Sequence, residues 1–344
     1  MSNQESTPQE LRCDGHAHPL GADAPRMELL EPRMVPLGGV RAMTVRRTLP
    51  QRSRSFIGAW CFLDHYGPDA VAETGGMEVP PHPHTGLQTI SWLFTGEIEH
   101  RDSAGNHALV RPGELNLMTA GRGISHSEMS TPGTTVLHGA QLWVALPDGD
   151  RFTDPGFQSY RPPAVLDGGA TLRVFLGTVG GQSSPVATFT PLLGAELVLE
   201  AGATVSYPVD AGFEYGILVD SGSATANGHP LAAHELGAFP AGMPMLSISA
   251  GSQGARLLLL GGTPLGESIV MWWNFVGRSH EEIARFRAEW QRDSGVEPDA
   301  VQPGAVGSAP DTAGPAVRFG LPPGQDVAPL PAPALPTVRL KPRD

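Results

Sequence analysis

Glycine and proline interrupt this sequence so often that they leave little room for long helices. The chain has 43 glycines and 34 prolines among its 344 residues, and short apolar runs such as 89–94, 140–146 and 256–260 lie between them. Short apolar runs separated by turn residues are typical of β-sandwiches and β-barrels. At about 150 residues per domain, the length favours two domains. The sequence therefore predicts an all-β protein with two consecutive barrels.

A polar and aromatic connector marks the predicted boundary between the two barrels. We expect six segments in chain order: a flexible N-terminal segment (1–34), a first barrel (35–150), a linker (151–169), a second barrel (170–266), a connector with a C-terminal helix (267–295) and a proline-rich tail (296–344).

The helix is predicted from its capping residues and its apolar stripe. Ser279 and Glu282 have the spacing of a capping box, in which two side chains satisfy amide groups that the first turn leaves without partners. Apolar side chains at i, i+3 and i+7 form one buried face, namely Ile283, Phe286 and Trp290. The helix should end near Gly295.

The tail divides into two parts of different composition. Residues 296–316 are rich in Pro, Ala and Gly and have no core pattern, which predicts a mobile linker. The prolines and leucines of 330–344 favour an extended segment that docks on the body or serves as a ligand for another protein. Docking is the simpler interpretation.

Charge and cysteine content bear on partners and compartment. The chain has 35 Asp+Glu against 23 Lys+Arg, a formal charge of −12, and such a surface repels phosphate backbones, so direct nucleic-acid binding is disfavoured. No apolar run reaches about 20 residues, and the first residues lack a positive segment followed by an apolar one, so we expect neither a membrane span nor a secretory signal. Cys13 and Cys61 are expected to remain reduced thiols, as in the cytoplasm.

Two pairs of potential metal ligands stand out among the 12 histidines. His82 and His84 are separated by one residue, and so are His126 and Glu128. Alternate side chains of a strand point to one face, about 6 to 7 Å apart, so each pair offers two donors to one point. Pro83 cannot donate to a β ladder, which places the first pair at a strand start or edge. The simpler alternative is that these polar residues cap strand ends near glycine turns.

The donor types narrow the range of ions. Imidazole nitrogens and a carboxylate together suit Fe, Mn, Ni, Cu or Zn. Four protein ligands in an octahedral shell would leave two positions for water, dioxygen or substrate. Open positions favour catalysis over scaffolding.

A β-barrel with His-x-His on one strand and another histidine farther on resembles the cupin superfamily. Cupins usually have a glutamate ligand where Gln88 stands, and Glu128 supplies a carboxylate from another position. This relocation is similar to the pirin family, and the resemblance extends from about Val45 to Trp290. The motifs that carry it are FLDHYGP (62–68), HPHTG (82–86), MTAGRGISHSE (118–128), QLWV (141–144) and GTPLGESIV (262–270).

The resemblance implies a monomeric bicupin whose N-terminal barrel holds one Fe(II). The ligands would be the residues that match the pirin motif: His82, His84, His126 and Glu128. The C-terminal barrel would hold no metal, and its sequence agrees, because between about 195 and 262 it has only His229 and His234 and no His-x-His. Pirins commonly have Glu where Gln88 stands, which alters the charge and hydrogen bonding around the ion.

Other histidines have simpler interpretations. His16 and His18, near Cys13, would capture adventitious metal or be solvated. His100 and Asp102 share the i, i+2 spacing, but the following Asp-Ser-x-Gly turn predicts an exposed strand end away from the metal. His65 either lines the mouth of the pocket or hydrogen-bonds in a turn. The glycines around Arg122 predict a tight turn that delivers His126.

Two functions follow from the resemblance. The first is an iron-dependent dioxygenase that opens the ring of a flavonol such as quercetin and releases carbon monoxide, with Glu128 as ligand and proton acceptor. Its partners would be a small aromatic substrate and dioxygen. The alternative is a non-enzymatic regulatory protein whose iron state alters a surface that a transcription factor or a metabolic enzyme recognises. Both use the same ligands.

Overall fold

The structure is a computed structural model that describes residues 11–13, 26–37, 43–296 and 317–340. His16, His18 and the predicted mobile linker from 297 to 316 lie outside these ranges. Strands dominate the described chain, as the density of turn residues predicts. The expected all-β class with a single long helix is confirmed.

The first barrel is built from two antiparallel sheets that face each other. Its strands are β3 (Arg33–Leu37), β4 (Met43–Leu49), β5 (Trp60–Ala70), β6 (Glu78–His84), β7 (Leu87–Thr95), β8 (Ile98–Asp102), β9 (His107–Val110), β10 (Leu115–Thr119), β11 (Ile124–Ser130), β12 (Val136–Ala145) and β13 (Gly156–Tyr160). One sheet has the order β13-β10-β7-β12-β5-β4-β3, and the other has the order β6-β11-β8-β9. A short helix, α1 (Val71–Thr74), follows β5.

The second barrel is formed largely by one long, curved sheet. Its strands are β2 (Glu28–Leu30), β14 (Val165–Asp167), β15 (Ala170–Leu176), β16 (Thr178–Val179), β17 (Gln182–Ser183), β18 (Leu192–Leu199), β19 (Thr204–Pro208), β20 (Glu214–Ala226), β21 (His229–Leu231), β22 (Leu236–Phe239) and β23 (Met245–Gly262). The main path runs β14-β15-β18-β23-β20-β22-β2, with β19 paired to β23 and β21 to β20, while β16 and β17 form a hairpin.

The two barrels share a continuous apolar core. Trp60 and Trp92 of the first barrel lie in the same buried cluster as Leu218 and Leu258 of the second. The indole nitrogen of Trp60 donates to Gly261 O at 3.0 Å, which places a hydrogen bond across the boundary. The barrels therefore form one packed unit.

The segments predicted as flexible or linking contribute strands to both barrels and to the connector. In the predicted linker 151–169, β13 pairs with β10 of the first barrel and β14 pairs with β15 of the second. In the predicted flexible segment 1–34, β2 extends the second sheet at β22, and β1 (Leu11–Cys13) pairs with β24 (Ile269–Trp272). These strands are too short for an alternating pattern to reveal them.

The long helix, α2 (His280–Ser294), has the predicted caps. The Ser279 hydroxyl accepts from Glu282 N at 3.2 Å, and Gly295 ends the helix in the left-handed region with φ 70°. The Glu282 carboxylate accepts from Arg278 N, whereas a capping box would have it accept from the next amide, Ser279 N. The predicted apolar stripe is buried against β24 and β25 (Phe275–Gly277).

Residues 317–340 pack across α2, which is the docked arrangement that the sequence favours. Phe319 and Leu340 join the aromatic cluster around Trp290. The Trp290 indole donates to Leu330 O at 2.8 Å. Leu330 N in turn donates to Pro81 O at 2.8 Å, so this segment also contacts the first barrel. Within the described residues, neither helix has the length and apolar character needed to cross a membrane.

Candidate metal centre

Two neighbouring strands bring the predicted ligands to one face. His82 and His84 lie on β6, which is an edge strand as Pro83 predicts, and His126 and Glu128 lie on β11. The strands pair antiparallel, with His82 directly opposite His126. Because alternate side chains share a face, this register directs the three imidazoles into the barrel. All three are fully buried.

A bulge shapes the edge strand just before the first ligand. The register shifts between His126 and Glu128 of β11, so that three steps along β6 match two along its partner. Pro80 and Pro81 lie in this interval, where missing amide donors are tolerated. The Pro80 carbonyl lies 2.9 Å from His82 Nδ1 and can only accept, so Nδ1 carries the proton and the Nε2 lone pair is available.

The same logic applies to the second histidine. His84 Nδ1 lies 3.2 Å from the Asn274 carbonyl, which again fixes the proton on Nδ1. Burial lowers the pKa of His82 to about 3 and lowers the pKa values of His84 and His126 well below the ordinary value for histidine. Neutral imidazoles with available Nε2 lone pairs are the form that binds metal.

Ligand nitrogens of the three histidines converge. His84 Nε2 and His126 Nε2 are 3.1 Å apart, and one ligand atom from each of the three histidines falls within 4.8 Å of the others. His82 Nε2 is buried and has no hydrogen-bond partner among the described residues. A buried nitrogen without a partner is costly unless something binds it. These residues therefore fit a transition-metal ion, and carbonyl groups already hold the second nitrogens of His82 and His84.

Glu128 lies on the side of the cluster near His126. Its ligand oxygen groups with His126 and His100, and the tight grouping of the three ligand histidines does not include it. Ser91 Oγ lies 3.1 Å from Glu128 Oε1 and 2.8 Å from Gln141 Oε1. Gln141 Nε2 has no partner among the described residues, and turning that amide over would let it donate to Ser91. Ser91 would then donate to Glu128 and orient its carboxylate.

His100 and Asp102 are where the sequence expectation was wrong. Both are buried, because β8 pairs with β11 and places His100 opposite Glu128 and Asp102 opposite His126. His100 Nε2 lies 3.3 Å from Asp102 Oδ2, and His100 Nδ1 lies 3.3 Å from His126 Nδ1. Burial opposes ionisation of Asp102, but hydrogen bonds from His100 and Asn106 prevail and lower its pKa.

A directed chain of hydrogen bonds follows from that geometry. The Asp102 carboxylate accepts from His100 Nε2–H, so His100 Nδ1 has a lone pair that accepts from His126 Nδ1–H. His126 Nε2 is then the available ligand atom, as in His82 and His84. The i, i+2 spacing of His100 and Asp102 is the sequence feature that could have indicated this chain, but an exposed strand end can have the same spacing.

Gln88 and His65 take other positions. Gln88 is buried on β7 and donates from Nε2 to Thr119 Oγ1 at 2.9 Å, while its Oε1 has no partner among the described residues. His65 is neither at a pocket mouth nor in a turn, because it lies within β5 and is fully buried beside Asp220.

Two β-barrels in one chain, the first enclosing converging imidazoles, define a bicupin. The family described as Pirin matches residues 40–144, and the Pirin C-terminal cupin domain matches residues 194–294. The chain belongs to the pirin family.

Similar proteins cover nearly the whole fold. A Pseudomonas aeruginosa protein named "Putative quercetin 2,3-dioxygenase" is 42% identical over 297 residues, covering 85% of this chain and 91% of its own. A pirin-like protein of Caulobacter vibrioides is 35% identical over 266 residues, covering 74% of this chain and 90% of its own. The crystal structure of a quercetin 2,3-dioxygenase from Acinetobacter baumannii matches with a TM-score of 0.80 at 37% identity, covering 92% of this chain and 98% of its own.

Proposed function

We propose that this protein is a metal-dependent dioxygenase with quercetin 2,3-dioxygenase-type activity on flavonols or related aromatic compounds. The ligands would be His82, His84, His126 and Glu128, and Fe(II) is the ion we propose, with Mn, Ni, Cu or Zn as alternatives. The observation that carries the proposal is the convergence of the three imidazoles, each of which has a partner for its Nδ1 atom. The names of the Pseudomonas and Acinetobacter relatives support the substrate class.

The chain's own residues would position the reactants and move one proton. When bound, Fe(II) would supply open coordination positions and the electron chemistry that dioxygen requires. Glu128 would accept the proton of the substrate hydroxyl, since a buried carboxylate next to a donor hydroxyl is positioned for general-base work. The apolar side chains around the histidines would keep bulk water from the reacting ring.

The decisive assay measures quercetin turnover by the wild-type protein and by a variant that lacks one metal ligand. The chain is loaded with Fe(II) without oxygen and mixed with quercetin, oxygen is admitted, and loss of flavonol absorbance is measured with carbon monoxide release. We expect turnover by the wild-type protein and loss of at least about 100-fold in His84→Ala. His107→Ala, at an exposed strand position, is the matched control and should turn over normally. No turnover with Fe, Mn, Ni or Cu would reject flavonol oxygenation.

A regulatory function is the second candidate, and the burial of the ligands favours it. His82, His84 and His126 each have 0% exposure, whereas a flavonol that reacts at the ion needs an opening to them. A protein that only holds an ion needs no such opening. Under this alternative, the same assay gives metal binding without turnover, and the iron state changes affinity for a transcription factor or a metabolic enzyme.

We also infer a monomer that works in the cytoplasm. The reduced, buried thiol of Cys61 supports that compartment. Light scattering at several protein concentrations tests the monomer.

A further inference from the structure

A second group of potential ligands lies where the two barrels meet. His65 on β5 and His138 on β12 come from the first barrel, and Asp220 on β20 comes from the second. His65 Nε2 lies 2.7 Å and His138 Nε2 lies 2.6 Å from the same oxygen, Asp220 Oδ1. All three residues are buried, and their ligand atoms fall within 4.8 Å of one another.

Several polar atoms of this group have no hydrogen-bond partner among the described residues. Asp220 Oδ2 is one, and Arg256 Nη1 lies 3.5 Å from it. His234 Nδ1 is another, and the His234 ring centroid lies 5.3 Å from that of His65. His234 also has φ 74°, a left-handed conformation that is uncommon for a residue other than glycine. Strain of this kind concentrates at functional positions.

We propose that His65, His138 and Asp220 form a second divalent-cation site, with His234 as a neighbouring ligand. Two imidazole nitrogens and one carboxylate suit Zn²⁺, Co²⁺, Fe²⁺ or Mn²⁺. The cation would bind the Nε2 atoms of His65 and His138 in place of their contacts to Asp220 Oδ1, and it would also use Asp220 Oδ2 and His234 Nδ1, which lack partners among the described residues. It is distinct from the histidine centre in the first barrel, because it draws ligands from both barrels.

Arg46 opposes the cation in a defined way. Its Nε lies 3.3 Å from His65 Nδ1 and can only donate, so without a cation the His65 proton sits on Nε2 and points at Asp220. Coordination through Nε2 moves that proton to Nδ1, where it meets the Arg46 donor. Arg46 must then turn away from His65, although its Nη2 can keep its hydrogen bond to Gly67 O. Removing the guanidinium should therefore strengthen cation binding.

A cavity next to the cluster offers a route for entry. It has a volume of about 560 Å³, and its lining includes Phe94, Glu196 and Arg256. The Phe94 ring centroid lies 4.9 Å from that of His138. The Arg256 guanidinium lies over the Phe94 ring, 5.1 Å from its centroid. A cation that passed Phe94 would meet His138 first.

The test uses Co²⁺ as the probe on the full chain, purified without a histidine tag. In a His84→Ala/His126→Ala variant, which disables the first centre, we expect about one Co²⁺ per chain by metal analysis and a visible absorption band from imidazole ligation. Adding His138→Gln, which keeps a donor toward Asp220 but removes the nitrogen ligand, should weaken Co²⁺ binding at least tenfold. Adding Arg46→Met should tighten it.

The controls separate this site from the first centre and from misfolding. His107→Gln, added to the same background, should leave Co²⁺ affinity unchanged, and urea unfolding of each variant verifies the fold. No Co²⁺ bound by the folded His84→Ala/His126→Ala chain would overturn the proposal. Unchanged affinity after both His138→Gln and Asp220→Asn would overturn it as well. Failure of the first centre would instead appear as equal Co²⁺ binding by the wild type and the background variant.

Discussion

Replacing His100 by leucine tests whether the Asp102–His100–His126 chain prepares the metal centre. Leucine removes the acceptor that lies 3.3 Å from His126 Nδ1. A buried N–H without a partner costs about 1 to 3 kcal/mol, and His126 relieves it by moving its proton to Nε2. That proton then occupies the lone pair that a metal needs. Loss of such an orienting partner typically weakens metal binding about 10- to 100-fold, which equals about 1.4 to 2.8 kcal/mol.

The measurement is competition against a chelator, with Zn²⁺ as the ion and free metal buffered. His100→Asn supplies an oxygen acceptor near the position of Nδ1, so it should recover most of the affinity. His107→Leu on the neighbouring strand β9 is the matched control, because His107 is half-exposed and hydrogen-bonds only to Glu99 among the described contacts. The reasoning is refuted if His100→Leu binds Zn²⁺ within about threefold of the wild type while His126→Ala does not bind.

Three further predictions concern stability. Burial lowers the pKa of His65 from 6.5 to about 4. Between these pH values the unfolded chain binds a proton that the folded chain does not bind. The metal-free protein should therefore lose stability as pH falls from about 6.5 to about 4, by up to about 1.4 kcal/mol per pH unit. Urea titrations at pH 7, 6 and 5 should give a shallower dependence in His65→Gln, and equal slopes would contradict this. Phe319→Ala should lower the free energy of unfolding by about 3 kcal/mol, because Phe319 is buried against α2. Val317→Ala, at 69% exposure, should lower it by less than about 0.5 kcal/mol. Equal melting temperatures of the two variants would mean that the tail segment does not dock. Gly121→Ala should destabilise the protein by about 2 kcal/mol more than Gly105→Ala. Both glycines have positive φ, but only at Gly121 would a Cβ overlap a backbone carbonyl, that of Thr153. Equal denaturant midpoints for the two variants would exclude this account of the turn.

Local patterns predicted the parts of this protein that local physics determines. Ser279 and Gly295 bound α2 because a hydroxyl cap and a left-handed glycine satisfy helix ends irrespective of the rest of the chain. Likewise, the i, i+2 spacing of His82 and His84 placed both on one strand face, and Pro83 placed that strand at an edge.

Properties that depend on pairing between distant strands could not be predicted in this way. The turn after Asp102 ends β8, as the sequence predicts. Whether that strand is exposed to water depends on its pairing with β11, which the local sequence does not show. The same limit applies to β13 and β14, which are short and acquire partners only from β10 and β15. Glu128 has the spacing of a ligand, yet the bulge in β6 changes its position relative to His82.

The boundary between the barrels explains why the second cluster is invisible in the sequence. His65, His138, Asp220 and His234 have no common spacing, and their separation is fixed by contacts between the barrels, such as the shared core around Trp60 and Leu258. Asp220 is a buried carboxylate that faces two donors from the other barrel, so separating the barrels would leave a charge without those partners as well as exposed apolar surface. The polar cluster therefore makes the packing of one barrel on the other specific, and any cation held there would stabilise that packing further.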